Sequence, residues 1–255
     1  VPVDIPIVGD CKDALGKLAG FIKADHGEKP TYAGQHAPWL AQINDWQRAF
    51  PLAYTQDDGE IKPQFVVEKI YELTQGQAII STEVGQNQMW AAQFYRFDNP
   101  RAFLSSGGLG CMGYGFPAAI GAQVACPDRV VIDIAGDGSI QMNIQELATA
   151  VQYRLPVKVC ILNNGYLGMV RQWQELFYGK RYSNTCLDCG PDFVKVAEAY
   201  GAVGLRATKP SEVEGVLKQA LKVDNCVFID FRVAREEGVY PMVPAGRAMT
   251  EMLLV

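Results

Sequence analysis

Two short stretches of the chain combine residue types that can hold a metal ion and a phosphate together. Ala135-Gly136-Asp137-Gly138-Ser139 follows the β-like run at 130–134 and leads into a helical pattern. Its glycines let the backbone approach a ligand closely, the helix N-terminus beyond offers free N–H groups to an anion, and Asp137 supplies a carboxylate for a hard cation. Leu162-Asn163-Asn164-Gly165-Tyr166-Leu167-Gly168 ends a second β-like run. If both runs are neighbouring parallel strands, Asp137 and Asn164 reach the same sheet edge. A carboxylate oxygen, an amide oxygen and a backbone carbonyl would then take three positions around an octahedral Mg²⁺, with diphosphate oxygens and a water completing the shell. Taken alone, Gly-Asp-Gly is also an ordinary strand-to-helix turn; the pair is more informative than either half.

Other candidate chemistry is thinner. Gly108-Leu109-Gly110-Cys111-Met112-Gly113 satisfies G-x-G-x-x-G, and Asp133 lies twenty residues beyond Gly113 in the next β-like run, as a dinucleotide fingerprint asks. Apolar residues flank Asp133, however, and that scheme gives the Gly-Asp-Gly and Asn-Asn stretches no role. The histidines, His26 and His36, stand near no nucleophile motif, which weakens any Ser-His or Cys-His hydrolase. Seven cysteines, an odd number set mostly in apolar segments, suit a reducing cytoplasm. Cys186-x-x-Cys189 lacks the second pair or nearby histidines that a structural zinc would need. A cofactor is therefore expected to supply the chemistry.

Such loops must be carried by strands that alternate with helices. From residue 61 the pattern is regular. Pro63 opens a helix with Phe65, Val66, Ile70 and Leu73 inward, and strands are predicted at 78–82, 130–134, 157–162 and 226–231, with shorter ones at 102–105 and 202–206. Helical patterns lie at 141–153, 168–178, 191–200 and 211–222. The alternation predicts an α/β fold with a doubly wound, mainly parallel sheet covered by helices on both faces, and a ligand crevice beyond the carboxyl ends of the strands. The first 60 residues differ: a β-like stretch at 5–10, a helix with Leu15, Leu18, Phe21 and Ile22 on one face, a second helix whose Trp39, Ile43, Trp46 and Phe50 read as a packing stripe, and a polar linker at 55–59. At 255 residues and 49% hydrophobic content the chain can bury a sizeable core. A net charge of −5 without a Lys/Arg cluster argues against nucleic acid, and no apolar run approaches the roughly 18 to 20 residues of a membrane span. The chain starts at Val1 rather than Met and is read as the C-terminal part of a longer one.

The spacing of Gly136-Asp137-Gly138, twenty-four intervening residues and Asn163-Asn164 resembles the thiamine-diphosphate motif of thiamine-diphosphate-dependent enzymes. The stretches EVGQNQMWAAQFY (83–95), SSGGLGCMGYGFPAAIGAQVA (105–125) and GDGSIQMNIQELATAVQYRLPVKVCILNNGYLGMVRQWQELFY (136–178) closely resemble the large, catalytic subunit of acetolactate synthase (acetohydroxyacid synthase). The likeness is close over 61–232, looser over 1–60 and loose over 233–255. It implies the end of a central domain plus linker at 1–60, a thiamine-diphosphate- and Mg-binding domain at 61–232 and a C-terminal tail at 233–255.

By the same resemblance, Asp137 and Asn164 would bind Mg²⁺ by side chain and Tyr166 by its main-chain carbonyl. Gly138, Ser139, Gln86 and Asn87 would hold the diphosphate, although the family often has His where Asn87 stands. Gly110 and Met112 would meet the aminopyrimidine, with the Met112 side chain wedging the cofactor into its bent, reactive conformation. Val84, Gly85, Gly136, Leu167, Gly168 and Met169 would complete the cofactor contacts. Met169 and Trp173, four apart on one helical face, would border the substrate channel, whereas Arg171, Gln172 and Gln174 are read as solvated or interfacial. The bland alternative for Met169 and Trp173 is core packing.

The implied reaction condenses two pyruvates, or pyruvate with 2-oxobutyrate, with loss of CO₂, in branched-chain amino acid biosynthesis. The resemblance further implies FAD in the full-length protein, a homodimer or dimer of dimers, and a regulatory small subunit. The family's activating glutamate lies in an N-terminal domain of the partner subunit and matches no residue here, so the piece alone is expected to be inactive. Alternatives are another thiamine-diphosphate carboligase or decarboxylase, such as glyoxylate carboligase, and a non-catalytic cofactor-binding module.

Overall fold

The structure is a computed structural model that describes residues 2–26 and 33–254. Its contacts divide the chain into two units, Val1–Ala53 and Tyr54–Val255. Among the described residues no helix is long and apolar enough to cross a membrane.

The first unit contains helices α1 (Cys11–His26) and α2 (Ala33–Ala49). The predicted β-like stretch at 5–10 forms no strand and is exposed. Pro6 removes a ladder donor near its start, and a strand without a partner leaves its backbone to water. Trp39 and Trp46 meet edge to face with centroids 5.5 Å apart, yet each is about half exposed, so the stripe read as packing is not enclosed within this unit.

In the second unit, α3 (Pro63–Thr74) begins at the predicted proline, whose missing N–H costs nothing at a helix start. The remaining elements are β1 (Ile79–Thr82), α4 (Gln86–Phe94), β2 (Phe103–Ser105), α5 (Gly115–Ala125), β3 (Val131–Gly136), α6 (Leu147–Gln152), β4 (Lys158–Asn163), α7 (Gly168–Phe177), α8 (Phe193–Tyr200), β5 (Val203–Ala207), α9 (Pro210–Leu221) and β6 (Val227–Arg232). The strands form a six-stranded sheet in the order β2-β1-β3-β4-β6-β5, with every pairing parallel. The mainly parallel sheet expected from the alternation is thus parallel throughout.

Central strands are buried on both faces, which explains their continuous apolar runs. On one face Ile132, Ile134, Cys160 and Ile229 pack with Val66, Ile70, Trp90 and Leu217 from α3, α4 and α9. On the other, Val131, Val159, Ile161 and Phe228 pack with Phe116, Leu147 and Phe193 from α5, α6 and α8. The helix predicted over 141–153 is broken: short 3-10 turns at Ile140–Met142 and Ile144–Glu146 precede α6. Asn143 between them leaves helical geometry, and its Nδ2 donates to the Gly113 carbonyl at 2.7 Å. A side chain bonded across to another loop has displaced the local helix.

The strand order also locates the crevice. The chain leaves β1 toward β2 on one side and returns through β3 on the other, so the connections diverge above β1 and β3. Ligands bind at such a switch point, outside the carboxyl ends of the strands.

Candidate functional site

A cavity of about 500 Å³ opens at that switch point. Its walls are the segments following four strands: 84–90 after β1, 106–110 and Met112 after β2, 136–139 after β3, and Asn164 with 166–170 and Trp173 after β4. The residues that the resemblance assigned to cofactor, metal or substrate line it: Val84, Gly85, Gln86, Asn87, Gly110, Met112, Gly136, Asp137, Gly138, Ser139, Asn164, Tyr166, Leu167, Gly168, Met169 and Trp173. Asp133, required by the dinucleotide reading, does not; it is fully buried inside the sheet, where no ribose can reach it.

Adjacent strands β3 and β4 deliver Asp137 and Asn164 to one edge. Asp137 is only 5% exposed. Burial pushes its carboxyl up to about 7, although main-chain N–H groups, including Gly165 N to Oδ2 at 3.1 Å, oppose the shift. A buried carboxylate with no ion-pair partner among the described residues is an electrostatic opening for a cation. Asn164 Oδ1 accepts from Tyr166 N at 3.1 Å, and its Nδ2 donates to Gln86 Oε1 at 3.2 Å. Among the described residues no cluster of three or more His, Cys, Asp or Glu is placed to hold a metal. An ion here would instead take one carboxylate with amide and carbonyl oxygens, the mixed oxygen set that suits Mg²⁺ beside phosphates.

The site is tied together by contacts of Gln86 and Gln172 that the sequence did not show. Gln86 Nε2 donates to Gln172 Oε1 at 2.9 Å and to the Glu237 carbonyl at 3.0 Å, which turns its Oε1 toward Asn164. Gln172 Nε2 in turn donates to the Val239 carbonyl at 3.0 Å, and Val239 N donates back to Gln172 Oε1 at 2.9 Å. A relay therefore runs from the tail through Gln172 and Gln86 to Asn164. The close approach requires Gly168, because a Cβ there would overlap Gln86 Oε1 and stand 2.7 Å from Asn164 Nδ2.

Arg171 and Gln172 correct the expectation that they are solvated or interfacial: both are buried. The Arg171 guanidinium pairs with Glu175 at 3.0 Å and Glu236 at 2.7 Å, and it faces the Tyr166 and Tyr182 rings at 5.3 and 5.0 Å. Arg235 covers Tyr166 at 4.6 Å. Two cations thus flank the ring whose backbone carbonyl is the candidate third metal ligand. The physical reason is that residues 236–239 cover the side of α7 away from the cavity, so polar residues there are enclosed and paired. Gln174 is half-buried and bonded to Ser183 and Thr185. Met169 is half-buried and Trp173 half-exposed, both against the cavity rather than in a core.

Three predicted diphosphate contacts have their side chains committed within the protein: Gln86, through the bonds given above, Ser139 and Asn87. Ser139 Oγ donates to Glu83 at 2.6 Å and accepts from Val84 N at 3.2 Å and Gly113 N at 3.4 Å, which fills its bonding capacity. Asn87 Nδ2 donates to the Ile134 carbonyl at 2.8 Å. A bound anion would meet Ser139 through its main chain.

Residues 83–231 match the family model "Thiamine pyrophosphate enzyme, C-terminal TPP binding domain". The whole chain is 48% identical to an acetolactate synthase large subunit from Haemophilus influenzae and 46% identical to the acetolactate synthase isozyme 3 large subunit of Escherichia coli K12, covering 44% of each. It is also 46% identical, over 98% of its length, to an acetolactate synthase of Mycobacterium bovis, covering 41% of it. The chain spans less than half the length of these relatives. The all-parallel sheet, the crevice at its switch point and the match over most of that sheet place this chain in the thiamine pyrophosphate enzyme family, as a carrier of its C-terminal TPP-binding domain.

Proposed function

We propose that this chain is the cofactor-binding part of a thiamine-diphosphate- and Mg²⁺-dependent acetolactate synthase. The observation that carries the reading is the convergence of Asp137, Asn164 and Tyr166 on one edge of the cavity, with Asp137 buried and uncompensated. These residues would hold Mg²⁺, and Gly138, the Ser139 main chain and the neighbourhood of Gln86 and Asn87 would hold the diphosphate. Backbone groups of Gly110 and Met112 would orient the aminopyrimidine, with the Met112 side chain supporting a bent cofactor. Val84, Gly85, Gly136, Leu167 and Gly168 would wall it in. When bound, thiamine diphosphate supplies the nucleophilic carbon and the electron sink for decarboxylating a 2-keto acid and transferring the remaining carbons.

Met169 and Trp173, at the mouth of the cavity, would shape the space for the acceptor and so bias the choice between pyruvate and 2-oxobutyrate. Relatives with high identity are named large subunits, which supports further domains and a small subunit in the whole protein. FAD, a dimer and a cytoplasmic location belong to the same proposal. Product analysis of the intact protein tests it. Acetolactate is expected from pyruvate alone, and acetohydroxybutyrate when 2-oxobutyrate is added. Acetaldehyde or tartronate semialdehyde as the main product, from pyruvate or glyoxylate, would replace this reading with a decarboxylase or a glyoxylate carboligase.

A further inference from the structure

Behind the cavity wall lies a pair of buried acids. Glu83, the residue after β1, is fully buried and accepts three hydrogen bonds: Gly113 N at 2.8 Å, Phe116 N at 3.0 Å and Ser139 Oγ at 2.6 Å. Burial pushes the Glu83 carboxyl up, and these three donors, one of them in the first turn of α5, oppose that shift by favouring the ionised form. Asp133 on β3 is also fully buried, and neither of its oxygens receives a hydrogen bond. The nearby Ser81 hydroxyl gives its hydrogen to the Gly115 carbonyl, which leaves its lone pairs free for a proton from Asp133. At Gly115 the backbone of α5 presses on both acids: a Cβ there would overlap Asp133 Oδ1 and lie 2.5 Å from Glu83 N.

We propose that Glu83 and Asp133 share a single ionisation, with the charge on Glu83 and the proton on Asp133, and that the Glu83 carboxylate is the positioning residue that ties the turn at 110–113 to Ser139. Two carboxylates in one dry site cannot both ionise, and the acid without donors keeps the proton. Titratable groups bearing on Asp133 are Glu83 and the Cys160 and Cys226 thiols of β4 and the residue before β6; burial pushes both thiols up, so they stay neutral and none supplies a positive charge. Burial and then the Glu83 charge push Asp133 well up, against a smaller opposite effect of the neighbouring Ser81 hydroxyl.

The consequence concerns spacing across the cavity. The turn carrying Gly110 and Met112 forms one wall and the Gly138-Ser139 segment forms another. Glu83 bonds to both, with the Asn143 to Gly113 bond as a second tie from the same side. The bearing on thiamine diphosphate rests on the functional reading above; the shared ionisation does not.

Infrared spectroscopy of the intact, ligand-free protein with isotope-labelled aspartate tests the pair. In the Asp137→Asn background, which removes the other aspartate that burial raises, a protonated carboxylic acid band shifted by the label is expected at about pH 7, lost in Asp133→Asn and retained in Glu83→Gln. No labelled acid band, or a band lost only in Glu83→Gln, would overturn the assignment. For positioning, calorimetry with thiamine diphosphate and Mg²⁺ should show about tenfold or greater weakening in Glu83→Gln, equivalent to about 1.4 kcal/mol. Glu83→Asp, which keeps the charge, should recover part of it. If Glu83→Gln does not fold, Ser139→Ala, which removes one tie, should show a smaller loss in the same direction. Binding by either folded variant as tight as the original would overturn the positioning role, whereas no binding by the original protein would instead remove the cofactor reading.

Discussion

Asp137 shows how one residue can be recognisable from its neighbours while its energetics are not. Gly-Asp-Gly beside Asn-Asn marks a candidate oxygen-rich edge for a metal and a phosphate, but the cost of burying the carboxylate appears only when the fold closes around it. Its unfolded carboxyl titrates near the ordinary value of 3.8, and the folded one near 7. Below both values the proton is bound in either state and no penalty exists. Between them the folded form keeps a proton that the unfolded form has lost, so metal-free stability falls as pH rises, and the penalty is complete above about pH 7. Asp137→Asn is therefore expected to raise the metal-free melting temperature at about pH 8, by the equivalent of roughly 2 to 4 kcal/mol, and the gap should narrow toward pH 5. Mg²⁺ with thiamine diphosphate should raise the melting temperature of the original protein and not that of the variant. Thermal melts at both pH values check this; equal metal-free melting at about pH 8 would exclude the penalty.

Helix α7 carries the same lesson at the scale of an element. The spacing of Met169 and Trp173 sets them on one face, and both residues line the cavity. That periodicity says nothing about what covers the other face. Residues 236–239 do so, and they convert Arg171 and Gln172 from apparent surface residues into buried links. Gln172→Leu should leave the Val239 N–H and carbonyl without their partners, at about 1 to 3 kcal/mol for each buried group left unsatisfied. Hydrogen exchange should quicken at Val239 and its neighbours, and calorimetry should show weaker cofactor binding as Gln86 loses its anchor. Unchanged exchange at Val239 would mean that the relay does not hold the tail. The broken helix at 141–153 has a similar origin, since Asn143 looks helical in its local pattern yet bonds to the Gly113 carbonyl.

Over the whole molecule, stability rests on the two apolar layers that clamp the parallel sheet. Phe228 of β6 is fully buried and meets the Phe116 ring of α5 edge to face at 5.5 Å. Phe228→Ala should cost about 3 to 5 kcal/mol, measured by denaturant unfolding. Within about 1 kcal/mol of the original, the result would mean that the layer collapses to refill the space. The alternation of buried runs with amphipathic helices predicted this sheet because periodicity of about 2 or 3.6 residues is written locally along the chain. Composition disfavoured a nucleic-acid surface for an equally direct reason, the lack of concentrated positive charge. The residues that follow each strand were legible too, because a parallel sheet gathers its strand ends at one edge. Tertiary structure alone decided the neighbours. The order β2-β1-β3-β4 sets Gln86, Asp137 and Asn164 around one crevice, buries Glu83 beside Asp133, and brings the tail onto Gln172. Those meetings join residues tens of positions apart, and their pairing depends on how the layers pack rather than on any local spacing.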